Sequence, residues 1–553
     1  MKNLDLKFAL LGVAMIATAA CGDDHDDDHH NDAGPAPVAD AGVVPATDAG
    51  TTPTPIEVPT TYNFDSRFEE GTSPLSYSGQ IARHVILKGL STELGAMTDA
   101  IDSQDFVPAA GDARAKLDFY FRFDGETSGD LAHNVSTTPA PLQTTYNEVS
   151  TNKNLVGKLA GNDSATDYKD WSAGLEGWPI TGPGCYNMGE HRCLPGVNAE
   201  ADCTAPGTMW VADGCSTGER HTPEALVGVF FDMIDAAAVA RAAGEIPTDP
   251  AGNAISKVYV TAQGHDLSQI IAKFVAMGVF FAQGTDDYLD SDVDGKGLLA
   301  SNAQYVKDGV AKPYSALGHA WDEGFGYFGA ARDYNDYTDD ESAGKGGRDG
   351  WSSGYYDTNG DSKIDLKSEF NHGHSRNCAK RDRGSAESAK TDFTKEAMDH
   401  FLAGRTLILN AGDTLTDDEM TQLKAHRDTV VMTWEKCIAA TALHYINDTL
   451  QDMAKFGTDD YNFANHAKHW SELKGFALGL QFNPRSPLNE TMEGVDHSYF
   501  HQLHKKIGTA PALPGARNVD SYKDELREAR SMLAERYGFA AANVGDANGE
   551  GGW

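Results

Sequence analysis

Ser315-Ala-Leu-Gly-His319-Ala-Trp321-Asp322-Glu323-Gly-Phe-Gly-Tyr-Phe-Gly329 is the stretch whose reading decides the fold. Leu317, Trp321, Phe325 and Phe328 recur at i, i+4, i+8 and i+11, the spacing of a helix with one apolar stripe. His319 falls within one turn of Asp322 and Glu323, so an imidazole and two carboxylates share the other side. One face is therefore expected against the core and the other toward chemistry or water. His466-Ala-Lys-His469-Trp470-Ser471-Glu472-Leu-Lys-Gly475-Phe476 takes up the theme again. Here His469 and Glu472 lie on the side that carries Leu473, Phe476 and Leu480, and a polar pair on an apolar face needs partners once buried.

Outward from these stretches the chain alternates helical spacing with Gly/Asp-rich connections. The pattern predicts helices over 78–100, 113–123, 223–243, 266–289, 313–332, 390–410, 416–455, 461–481, 495–507 and 519–537. Strand signals are nearly absent. The expected fold class is all-α, as two packed bundles in tandem with short connections. Residues 125–222, rich in Thr, Asn, Gly and Pro, read as a long loop-rich insertion.

The chain has 553 residues, 40% of them hydrophobic, enough for one large or two ordinary cores. Its formal net charge of −37 excludes nucleic acid as a natural partner and suits cations or plain solubility. Residues 1–20 read as a signal peptide, with Lys2 and Lys7 ahead of an apolar run and Thr18-Ala19-Ala20 before Cys21. That ending resembles a lipobox, so Cys21 is the expected lipidation site and the membrane a partner through that anchor. Residues 21–60 follow as a disordered tether, from an Asp/His run into Pro, Ala and Thr. The predicted location is the cell envelope, at the outer membrane. No other stretch approaches 18 consecutive apolar residues. The helical domain is set at 61–540, with 541–553 as a flexible tail.

Six further cysteines, in a chain that leaves the reducing cytoplasm, point to disulfides. Cys185, Cys193, Cys203 and Cys215 are expected to staple the insertion in two bridges of unreadable pairing. Cys378 and Cys437 would form the third, tying a loop to a helix.

Asp357-Thr-Asn359-Gly-Asp361-Ser-Lys363-Ile364-Asp365 fits a calcium loop, with oxygen ligands at every second residue and Ile364 as its apolar anchor. The expected calcium ligands are Asp357, Asn359, Asp361, Lys363 through its carbonyl, Asp365 and Glu369. Ser362 stands where such loops carry glycine, and Ser368 holds the last ligand position, so Glu369 must reach from one residue later.

Tyr62-Asn-Phe64, Ser76-Tyr-Ser-Gly79 with Arg83, the 319–329 motif, Lys367-Ser-Glu-Phe-Asn371 and Lys468-His-Trp-Ser-Glu-Leu-Lys-Gly-Phe-Ala-Leu-Gly-Leu-Gln-Phe-Asn-Pro484 occur in one order. Together they resemble a bacterial lipoprotein family catalogued as a domain of unknown function, over roughly 60–540. More distantly the chain is similar to the imelysin group, helical envelope proteins with a Gly-x-His-x-x-Glu signature. Gly318 directly precedes His319 here, and Asp322 stands at the glutamate position beside Glu323. The resemblance implies a tandem imelysin-like bundle and a role near iron uptake.

The leading expectation is a non-catalytic envelope lipoprotein that binds metal ions, with His319, Asp322, Glu323, His469 and Glu472 as ligands for iron or zinc. The alternative is an envelope scaffold with structural calcium alone and an outer-membrane protein as partner. A metal-dependent hydrolase ranks third. The chain carries no His-Glu-x-x-His and no G-x-x-x-x-G-K-[ST] phosphate loop.

Overall fold

Side-chain caps open several of the principal helices: Thr222, Asp266, Ser315, Thr416, Asn462 and Ser498 each accept from an amide of the first turn. The computed structural model describes residues 55–128, 131–162, 171, 175–178, 181–187, 192–193, 203–216 and 222–553. The signal peptide, Cys21 and most of the tether lie outside them.

Helix α1 spans Ser78–Asp102, α2 Asp112–Phe121 and α3 Pro223–Ala242, the last with Thr222 as cap and Pro223 in its first turn. Helix α4, Leu267–Ala276, is capped by Asp266 and runs on as π-helical turns through Met277–Phe281 and Gln283–Tyr288. Leu267–Tyr288 is long and apolar enough by length and composition to cross a membrane, but most of it is buried inside the fold, as a core helix is. The helix expected over 266–289 is this segment, and Gln283, Asp286 and Asp287 keep its apolar run short of 18 residues.

Helix α5, Ala316–Phe328, carries the opening motif. Ser315 caps it, accepting from the Gly318 amide at 3.0 Å, and Gly329 at φ +82° closes it. Then come α6 (Gly373–Gly384), α7 (Phe393–Asn410), α8 (Asp417–Ala454), α9 (Phe463–Gly479), α10 (Tyr499–Ile507) and α11 (Val519–Tyr537). Thr416 and Glu419 form a reciprocal capping box on α8. Helix α8 packs along α7 and α9, and α9 packs on α4. Apolar residues from all of these helices, from Tyr62 to Trp553, form one continuous core.

The fold is mostly helical, and the all-α expectation needs correcting at two places. In the insertion, β1 (Thr181–Asn187) lies between β2 (Arg192–Cys193) and β3 (Thr208–Ser216) in an antiparallel sheet. A hairpin of β4 (Gln304–Lys307) and β5 (Val310–Ser315) then leads into α5, over residues expected to begin that helix. Pro313 accounts for part of this: it biases Lys312 toward extended backbone.

Cys185 bonds to Cys203 and Cys378 to Cys437. The second bridge ties helix to helix, α6 to α8, since the sequence around Cys378 is helical rather than loop. Two ends expected to be loose are docked. Ile56 exchanges two hydrogen bonds of 2.8 Å with the Asn410 side chain. In the tail, Trp553 is buried beside Phe393 and Phe539, and its indole donates to the Arg381 carbonyl at 2.8 Å.

Candidate functional site

Helix α5 is buried on every side from Leu317 to Phe328, so its polar face meets protein where the sequence reading expected chemistry or water. Asp322 accepts from Tyr62 Oη at 2.8 Å and from Arg405 Nε at 2.7 Å and Nη2 at 3.3 Å. Burial pushes its carboxyl upward, against the pull of Arg405. Glu323 accepts from the Gln80 amide at 2.8 Å and lies 3.7 Å from His319 Nε2. The His319 ring stacks on Tyr314, with centroids 4.7 Å apart.

His469 pairs away from Glu472. Its Nδ1 lies 2.7 Å from Asp452 Oδ2 and its Nε2 3.8 Å from Asp448 Oδ2. Burial disfavours the imidazolium, but the Asp452 hydrogen bond and both carboxylates outweigh it and leave the ring raised. Asp448 also faces His444 Nε2 at 3.4 Å, while burial pushes His444 down to about 3. Glu472 lies 2.9 Å from Lys273 Nζ and 3.9 Å from Lys468.

Of the five expected metal ligands, His319 and Glu323 face each other, His319 also against Tyr314 and Glu323 against glutamine, while Asp322 engages arginine and tyrosine, Glu472 lysines and His469 two aspartates. Among the described residues no group of three or more His, Cys, Asp or Glu side chains is arranged to hold a metal ion. The sequence reading missed His444, Asp448 and Asp452. Their spacing of four residues along α8 marks one helical face and could have flagged them.

The 357–369 loop wraps inward. Asp357 accepts from the amides of Gly360 at 2.7 Å, Asp361 at 3.2 Å and Ser362 at 2.8 Å. Asn359 accepts from the Asp361 amide, and Asp361 from the Lys363 amide, both at 2.8 Å. Ser362, at the usual glycine position, has φ +64°. Ile364 is fully buried and bridges to the 140–142 segment, donating to the Ala140 carbonyl at 3.1 Å and accepting from Leu142 at 2.8 Å. Glu369 does reach back from its late position. Its Oε1 accepts from the Thr358 amide at 2.9 Å and its Oε2 from the Asp365 amide at 2.8 Å. Asp365 also accepts from Gln143 at 2.8 Å, joining the loop to the preceding insertion.

Residues 224–341 match the model of a domain of unknown function, DUF4856. The match runs from α3 through α5 and ends ahead of the loop. No curated protein and no solved structure matches the chain.

Proposed function

We propose that this chain is a non-catalytic binding protein of the cell envelope, anchored by lipid on Cys21 and carrying a structural calcium ion in the 357–369 loop. The observation that supports the calcium reading most is Ser362 at φ +64°, its amide held by Asp357, in a turn whose Asn359 and Asp361 side chains fold back on the following amides. A left-handed conformation costs a residue with a Cβ roughly 1 kcal/mol, and a cation repays a loop for that turn.

The loop's carboxylates accept from its own amides and no three of them converge on one point; on binding an ion, Asp357, Asn359, Asp361 and Asp365 would turn to supply side-chain oxygens, Lys363 its carbonyl and Glu369 the closing carboxylate. This donor set is entirely hard oxygen, which suits calcium better than zinc. The bound ion would offset the mutual repulsion of the loop's acids and hold Ile364 against residues 140–142.

Calcium titrated into the full chain should give one saturable heat and a higher Tm. Asp361→Ala should abolish both, and magnesium should not reproduce them. A chain with neither heat nor a Tm shift would overturn the reading.

Iron or zinc, with a part in iron acquisition and a tandem imelysin-like bundle, is what the family resemblance favours. It has less support, because Asp322 faces Arg405 and Glu472 faces Lys273. The scaffold reading shares the calcium and adds an outer-membrane protein as partner.

A further inference from the structure

Helix α6 presents a polar face to a cavity along most of its length. His374, Asn377, Lys380 and Arg381 fall at i, i+3, i+6 and i+7 along that helix, and all line a cavity of about 230 Å³. None of these four side chains makes a hydrogen bond or ion pair with another described residue. The His374 ring is fully buried with both nitrogens unpartnered, and so is Arg381 Nε. Lys380 stands exposed at the cavity rim, and partial desolvation of its amine, with Arg376, Lys273, Arg381 and Lys345 around it, brings that group down to about 8.

The opposite wall adds Lys273 and a single acid, Glu472, and these two already pair at 2.9 Å. Lys380 and Arg381 therefore have no acid within ion-pair distance, though Asp448, Asp382 and Glu472 lie close enough to favour the charged Arg381. In a chain of net charge −37, a pocket with surplus cation is not a by-product of composition. The Cys378–Cys437 bridge fixes α6 to α8 behind this wall.

Gly373 and Ala276 also belong to the wall of a second cavity, of about 540 Å³. That one is lined by apolar surface from Val85, Phe280 and Phe370, with Lys88 and Arg376 also on its wall. Together the two fall in the size range of sites for small organic ligands.

We propose that the paired cavities bind an organic anion, its carboxylate or phosphate head on Lys380, Arg381 and Asn377 and its apolar body across Gly373 against Phe280 and Phe370. Donors are plentiful at the head position, while the one acid there is spoken for. A neutral or cationic head would leave the two cations unmatched.

Decanoate, decyl phosphate and decanol, titrated below micellar concentrations into the full chain by calorimetry, test the proposal. At least one of the two anions should bind one to one and at least about tenfold more tightly than decanol, and which anion does so identifies the head group. Lys380→Glu, at the cavity rim, should weaken the binding anion at least about tenfold while circular dichroism stays native, and Arg381→Gln should do the same. Should the buried Arg381 variant fail to fold, Lys380→Glu decides. Absence of saturable binding by both anions, decanol binding equally well, or a folded Lys380→Glu that binds as tightly as wild type would each overturn the proposal.

Discussion

Arg405 and Asp322 form an ion pair of 2.7 Å in which both side chains are buried, 83 residues apart in sequence. Tyr62 completes the carboxylate's coordination from a third segment. Removing one partner leaves the other charge buried and unmatched, which typically costs about 3–5 kcal/mol. Arg405→Met and Asp322→Asn should each lower unfolding free energy by about that amount in urea titrations. Arg405→Met combined with Asp322→Leu should recover part of the loss. Chelators should leave both the wild type and the variants unchanged at this site; a chelator effect that Asp322→Asn removes would reinstate a metal there.

The helices were legible because they depend on local signals. The 3.6-residue periodicity placed α1, α3, α8 and α11 within a few residues of their observed ends, and α3 and α8 also carry the side-chain caps Thr222 and Thr416. The partners of the motif residues were not legible. Nothing near residue 322 in sequence points to Tyr62 or Arg405, and His469 has its partner 17 residues away on a different helix. Spacing reports which residues share a face. It does not report what packs on that face, and here the answer was arginine, lysine and aspartate in place of an ion. The β4–β5 hairpin escaped notice for a different reason: its strands are four and six residues long, too short for alternation to register. The cavity along α6 was hidden because none of the sequence motifs includes its cations, Lys380 and Arg381.

Ser362 offers a substitution that should improve the protein. At φ +64° glycine carries no Cβ penalty, so Ser362→Gly should raise stability by up to about 1 kcal/mol. With calcium present the gain should persist, because the ligand oxygens are supplied by other residues. Thermal denaturation with and without calcium reads both effects. A lower Tm under both conditions would mean that the serine side chain contributes something the backbone does not.

Gly404 inverts the usual rule for glycine in a helix. In an open helical site alanine is favoured by about 1 kcal/mol. Here a Cβ would collide with the Trp321 ring, which is held in place by its indole donating to the Phe401 carbonyl at 3.0 Å. Overpacking of this kind costs about 1–3 kcal/mol, so Gly404→Ala should be net destabilising. Trp321→Phe in the same chain should relieve the collision and yield a double variant less damaged than the sum of the two singles. Strict additivity would place the ring elsewhere.

His374 predicts the direction of acid sensitivity. Burial alone pushes its imidazole down to about 3, and its ring lies beside Phe280, Phe281 and Trp434. The unfolded chain takes up this proton near pH 6.5, while the folded chain resists until about pH 3. Between those values the unfolded state binds more protons, so stability is full above about pH 6.5 and is lost as pH falls. Burial lowers His372 to about 4 and His84 as well, and both add to the same slope. Glu435 runs the other way: burial raises it to about 7, so its contribution is present below about pH 4.5 and is lost as pH rises toward 7. Comparing His374→Phe with wild type cancels the shared groups and leaves the one histidine. The variant should match wild type near pH 7.5 and gain on it by as much as about 1.4 kcal/mol per pH unit below 6.5. Urea titrations at pH 7.5, 6 and 5 measure that difference. A constant offset across the three would mean that the folded ring titrates as it does in water, and that water or an unmatched acid reaches it.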